Sequence, residues 1–201
     1  MKIDFFFSYG STYSYLSIMR VEKLAQEAGV PVDWRPFLAR KIMEEQNNRP
    51  FLGKPVKTKY MWRDVERRAA QFGIPFNGVP PYPITPTSLP HRVGLVAKSG
   101  GWCPDFTKAV YRAWFMDHKE LGQPRHLAEA LAALGHDAEK VLAEAATSRM
   151  ESALEDETNE ARRLGIFGSP TFVVGDEIFW GDDRLEIALD WAVRHAGRTR
   201  A

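Results

Sequence analysis

The chain opens on Ile3-Asp4-Phe5-Phe6-Phe7, a run of β-favouring side chains broken by one acid, and the period changes immediately afterwards. Beyond the small polar group Ser8-Tyr9-Gly10-Ser11, a helical period begins at Thr12 or Tyr13. Leu16, Met19, Val21 and Leu24 carry it, and Gly29 is its stop. Pro31 to Leu38 reads as a second strand, which makes the opening a βαβ unit. From about residue 40 to residue 165 nearly everything is helical in pattern, including 57–72, 89–98, 104–118 and 138–164. A proline-rich loop, 78–86, interrupts this block. The sheet resumes at Thr171-Phe172-Val173-Val174, turns through Gly175-Asp176 into Ile178-Phe179-Trp180, and a helix from about Asp183 to His195 closes the chain.

The order is βαβ, a helical block, then ββα. It predicts an α/β protein whose sheet is built from residues 1–39 and 166–201, with 40–165 as a large all-helical insertion. A thioredoxin fold with a helical insertion has this order, and other α/β arrangements share it. With 201 residues, 44% of them hydrophobic, the chain can bury a full core. Its 27 basic and 26 acidic residues nearly cancel, so no global field draws it to nucleic acid or to an anionic membrane. The expected partner is a small molecule. The single cysteine, Cys103, has no intrachain partner, the N-terminus lacks a cleavage site, and no stretch approaches the roughly 18 apolar residues needed to span a bilayer. These features lead to the expectation of a cytoplasmic protein. The five histidines have no spacing that puts two ligands on one helical face, and no metal is implied.

Three junctions carry candidate chemistry. At Ser8 to Leu16 a strand gives way to a helix whose first N–H groups lack partners, a setting that favours a bound anion, including a thiolate. Ser11 can donate a hydroxyl hydrogen bond there; read by itself, it is an N-cap. Before the third strand stands Gly168-Ser169-Pro170-Thr171. On local grounds Ser169–Pro170 is a trans turn, whereas a cis bond would turn the Ser169 backbone outward to hold an extended peptide. After the fourth strand, Trp180-Gly181-Asp182-Asp183-Arg184-Leu185 places two carboxylates where they either cap a helix or pair with an amino group.

Together with Ser11-Thr12-Tyr13-Ser14-Tyr15-Leu16 and Gly175-Asp176-Glu177, these motifs resemble the 2-hydroxychromene-2-carboxylate isomerases and the related kappa-class glutathione transferases, over nearly the full chain. The resemblance implies a DsbA-like thioredoxin fold in which Ser11 stands where redox relatives carry cysteine. It implies glutathione as cofactor, with Ser11 at its sulfur, Thr12, Tyr13 and Asn48 also binding it, Ser169 and Pro170 on its backbone, and Asp182 with Asp183 at its γ-glutamyl end. Asn48-Arg49-Pro50 and Lys57-Thr58-Lys59-Tyr60 match the family's Asn-x-Pro loop and Lys-x-x-Tyr helix start near the substrate. By that match Asn48 and Lys57 join Ser11 as catalytic residues, while Lys57 alone would read as a solvated helix-end lysine. The chain departs from the family at Thr12, usually proline, and at Pro86-Thr87-Ser88-Leu89, usually Asn-Thr-Leu.

The activity implied is isomerisation of 2-hydroxychromene-2-carboxylate, or of a related aromatic substrate, by reversible thiolate addition, bond rotation and elimination, as part of aromatic compound catabolism. The alternatives are a kappa-like transferase or peroxidase that consumes glutathione, and a ligand-binding module without turnover. A dithiol oxidoreductase shares the fold and is disfavoured by the missing second cysteine. Tyr82, in the proline loop, is the aromatic most suited to line a substrate pocket; Trp62, Trp102 and Trp114 at helical spacing read as core. A homodimer is expected from the resemblance.

Overall fold

A computed structural model describes residues 1–51, 53–85 and 88–196. The departure noted at Pro86 and Thr87 lies outside the described residues. Four strands form one sheet in the order β2-β1-β3-β4, from β1 (Ile3–Phe7), β2 (Val32–Pro36), β3 (Thr171–Val174) and β4 (Glu177–Trp180). β1 pairs parallel with β2, Phe5 opposite Trp34, and antiparallel with β3, Phe5 opposite Phe172. β3 and β4 form the antiparallel hairpin expected at Gly175-Asp176. This is the sheet of a thioredoxin fold, and the helices from α3 (Ala39–Glu45) to α9 (Ser148–Arg163) intervene in sequence between β2 and β3.

Successive side chains of a strand face opposite sides, so the three phenylalanines of β1 serve two layers. Phe5 and Phe7 join Trp34, Phe172, Tyr15, Tyr111, Trp114 and Phe115 in the main core, whereas Phe6 packs with Phe37, Ile42, Ala161, Ile166 and Val173 behind the sheet. The main core runs without a break from the sheet into α4 (Pro55–Phe72), α5 (Leu89–Ser99) and α6 (Cys103–Asp117). The helical block therefore supplies one wall of the core around the sheet.

Two segments differ from the periodicity. The first helix divides into α1 (Thr12–Ile18) and α2 (Val21–Ala28). At the break, the Arg20 guanidinium lies over the Phe72 ring at 3.6 Å, donates to the Leu16 and Asp182 carbonyls, and pairs with Glu186. The stretch 138–164 divides into α8 (Ala138–Ala145) and α9, because Thr147 accepts the Met150 N–H and caps a new helix. The remaining elements are α7 (Pro124–Ala133), a 3₁₀ turn at Asp182–Arg184 and α10 (Leu185–Arg194). Among the described residues no helix is long and apolar enough to cross a membrane.

Candidate active site

The turn Ser8 to Ser11 leaves the end of β1, held by contacts within it and from other elements. Ser11 N–H donates to the Ser8 carbonyl at 3.0 Å, Ser8 N–H donates to Ser169 Oγ at 2.9 Å, and the Tyr111 hydroxyl lies 2.9 Å from the Ser8 carbonyl and 3.3 Å from that of Ser11. Gly10 sits in the turn at φ +93°, where a side chain is rarely accommodated, and a Cβ there would run into Ile84. Gly10→Ala is expected to cost about 1–3 kcal/mol, read as a fall of several degrees in Tm.

Ser11 occupies the N-cap position of α1, yet its side chain makes no cap bond. Its hydroxyl donates instead to the Ser169 carbonyl at 3.0 Å, across the Ser169–Pro170 bond, which is cis. Local odds had favoured trans there. Ser14 Oγ meets Ser169 Oγ at 2.8 Å, so three serines from the two junctions form one cluster. The first N–H groups of α1 thus keep no side-chain cap, beside a hydroxyl that has a single proton to give. Thr12 is buried against Met61 Sδ at 3.1 Å, and the Tyr13 hydroxyl donates to Asp64 at 3.0 Å.

Ser11, Thr12, Tyr13 and Ser169 line a cavity of ≈ 1750 Å³, and so do Asn48, Lys57 and Tyr82. Pockets for a single small molecule occupy roughly 300–1,000 Å³, so this space suits a peptide and a second ligand together. Trp62 also lines it, in edge contact with Tyr82 at 5.3 Å. Trp114 is fully buried, and Trp102 stacks on His136 at 3.9 Å away from the cavity wall. Two aromatics are exposed at the wall beside Ser169: Phe167 and Trp180, 4.8 Å apart. A Cβ on Gly168 would stand 2.5 Å from the Trp180 indole nitrogen, so glycine is what lets that indole approach the turn this closely.

Among the charged residues of the wall, cations outnumber acids. Lys41 and Arg63 are neutralised by Glu155 and Glu66, but Arg40, Arg49, Lys57 and Lys59 have no ion-pair partner among the described residues. Lys57 Nζ lies over the Phe51 ring at 5.6 Å. Arg40 is exposed on this wall, and its charge opposes burial at Tyr82 and adds to it at His91. Neither Arg40 nor His91 was singled out by sequence; each is a lone residue on a helix, and only tertiary contact gives it a role.

Asp182 and Asp183 are not brought to the cavity wall. Asp182 is 3% exposed with a carboxylate oxygen 2.8 Å from Arg68 of α4, and burial raises its pKa to about 6 against the opposing pull of that guanidinium. The carboxylate of Asp183 is exposed and pairs with Arg184. Cys103 is buried beside Thr107, and burial pushes its thiol up to about 12, which leaves it inert. Among the described residues no cluster of His, Cys, Asp and Glu can hold a metal.

Comparison with known proteins gives a concordant picture. The profile of the DSBA-like thioredoxin domain matches residues 2–190. A 2-hydroxychromene-2-carboxylate isomerase of Pseudomonas putida is 30% identical over 193 residues, covering 92% of this chain and 91% of that protein. Glutathione S-transferase kappa 2 of Caenorhabditis elegans is 25% identical over 204 residues, covering 94% and 90%. The solved structure of a 2-hydroxychromene-2-carboxylate isomerase superposes with a TM-score of 0.83 at 24% identity over the whole of both chains.

Proposed function

The chain belongs to the DSBA-like thioredoxin domain family, among the 2-hydroxychromene-2-carboxylate isomerases, and from that membership we propose that it is a glutathione-dependent isomerase of 2-hydroxychromene-2-carboxylate or a closely related aromatic carboxylate. The observation that carries this reading is the shared cavity: Ser11 and Ser169 on one side, Asn48, Lys57 and Tyr82 on another, in a space large enough for two ligands. The donor set fits glutathione, an anionic peptide, because hydroxyls, helix N–H groups without a side-chain cap and several cations line the same cavity. When bound, glutathione would supply a thiolate that adds to the conjugated carbon of the substrate and leaves again after the bond has rotated.

The protein's own residues do the rest. A free thiol of pKa about 8.5 is only a few per cent ionised at neutral pH, and lowering it by about 1.5 to 2 units takes some 2 to 3 kcal/mol. The Ser11 hydroxyl and the first turn of α1 are of the right size for that. An anion accepts a hydrogen bond more strongly than a neutral carbonyl, so the Ser11 hydroxyl would redirect its hydrogen bond from the Ser169 carbonyl to the sulfur. Lys57 and Asn48 would hold the oxyanion charge that develops at the substrate carbonyl, and Tyr82 with Trp62 would flank the ring. Of the two aspartates, Asp183 is the better partner for the glutathione α-amino group, since its carboxylate is exposed and its surface pair with Arg184 can open, whereas Asp182 is buried against Arg68. The reading extends to a cytoplasmic homodimer acting in aromatic catabolism, its sheet unit formed by residues 1–39 and 166–201 and its substrate half by 40–165.

The test is to follow the isomerisation with and without glutathione while counting thiol. Conserved thiol with glutathione-dependent turnover supports isomerisation; net thiol loss points to the transferase or peroxidase, and saturable glutathione binding without turnover to a binding module. Lys57→Met is expected to lower kcat/KM for the carboxylate substrate about tenfold, a loss of roughly 1.4 kcal/mol, with glutathione affinity nearly unchanged, as steady-state kinetics and calorimetry will show.

A further inference from the structure

We propose that His91 is a positioning residue for the reacting end of this site: from α5 it holds the Ser8–Ser11 turn, and through it the Ser11 hydroxyl, in place. The inference rests on the reading that Ser11 serves the glutathione sulfur. His91 is 3% exposed and contacts the turn through one ring nitrogen. Its Nε2 accepts the Tyr9 backbone N–H at 3.1 Å and lies 3.0 Å from Ser8 Oγ, and its ring meets the Tyr9 ring edge-on at 5.2 Å.

The tautomer follows from the donors. A backbone N–H can only donate, so Nε2 must be the unprotonated nitrogen and the ring proton must sit on Nδ1. That Nδ1 is buried with no hydrogen-bond partner among the described residues. A leucine would avoid leaving a donor unsatisfied, but it would strand the Tyr9 N–H and release the turn. What the position requires is therefore an uncharged acceptor. Tyr111 and Ser169 hold the carbonyl of Ser8 and its N–H, while the Tyr9 N–H, two residues ahead of Ser11, falls to His91. Tyr111 comes from α6 and His91 from α5, so the helical block sets the geometry of the serine presented by the sheet.

The test uses the full-length protein with His91→Leu, which fills the space without an acceptor, and His91→Gln, which restores an acceptor oxygen. The expected results are a neutral Nδ1–H tautomer in ¹⁵N NMR of the wild type, and, in His91→Leu, displaced Tyr9 and Ser11 amide resonances and a raised pKa of the bound glutathione thiol. That variant should lose roughly ten- to hundredfold in kcat with little change in KM for glutathione, and His91→Gln should recover most of it. An Nε2-protonated ring, or a His91→Leu protein with wild-type thiol pKa and kcat, would overturn the proposal. If His91→Leu does not fold, the tautomer and His91→Gln decide. If the wild type isomerises nothing, the proposed activity fails by itself, and the amide resonances with the thiol titration still judge His91.

Discussion

Ser11→Ala is expected to lower glutathione-dependent turnover by roughly 10- to 100-fold and to raise the pKa of the bound thiol. A hydrogen bond to a charged group is worth about 1.5–3 kcal/mol, against about 1.4 kcal/mol for each tenfold in rate. The cost to folding should be smaller. The bond lost in the free protein is the neutral one to the Ser169 carbonyl at 3.0 Å, in a half-buried position, worth about 0.5–1.5 kcal/mol. The cap role that sequence alone suggests for Ser11 would reverse this ranking, costing about 1 kcal/mol of stability and nothing in chemistry. Because Ser11 makes no cap bond, the two accounts separate cleanly in a pair of measurements, an ultraviolet titration of the bound thiol and a urea melt. Ser11→Thr, which keeps the hydroxyl, should retain most of the activity.

Sequence made the sheet legible because its signals are local. Three phenylalanines in a row after Ile3, and Thr-Phe-Val-Val turning through Gly-Asp, leave little choice of period, and the strand boundaries fell within two residues of those found. The helix breaks at Arg20 and Thr147 were hidden for opposite reasons. Arg20 interrupts an unbroken apolar period through contacts with Phe72, Asp182 and Glu186, all distant in sequence. Thr147 carries an ordinary local cap signal that the continuous helical pattern on both sides concealed. The site divides the same way. Asn48, Lys57 and Tyr82 were recognisable by motif or loop position, whereas Arg40 meets the same cavity, and His91 the Ser8–Ser11 turn, only in the folded chain. The Asp182-Asp183 pair was legible as a pair of carboxylates, but the choice between them depends on Arg68, more than a hundred residues earlier.

Two buried groups should give stability opposite slopes with pH, and variants should separate them. Burial, aided by the Arg40 charge, lowers the His91 pKa from 6.5 to about 3. Between those values the unfolded chain carries a proton that the folded one refuses, so this group's contribution falls by roughly 1.4 kcal/mol per unit as pH drops. Asp182 behaves in the reverse sense: burial raises its folded pKa from 3.8 to about 6, so the folded state holds the extra proton and its contribution rises as pH drops through that window. The two slopes oppose each other where the windows overlap. Relative to wild type, His91→Gln should therefore gain stability by about 1.4 kcal/mol per unit below pH 6.5, and Asp182→Asn should lose it at a similar rate between about pH 6 and 3.8. Comparing variants at each pH cancels the exposed carboxylates, which titrate alike in all three proteins. Urea unfolding from pH 7 to 4 reads both slopes directly, and parallel curves would mean that neither the imidazole beneath the turn nor the carboxylate against Arg68 is held in the protonation state its burial dictates.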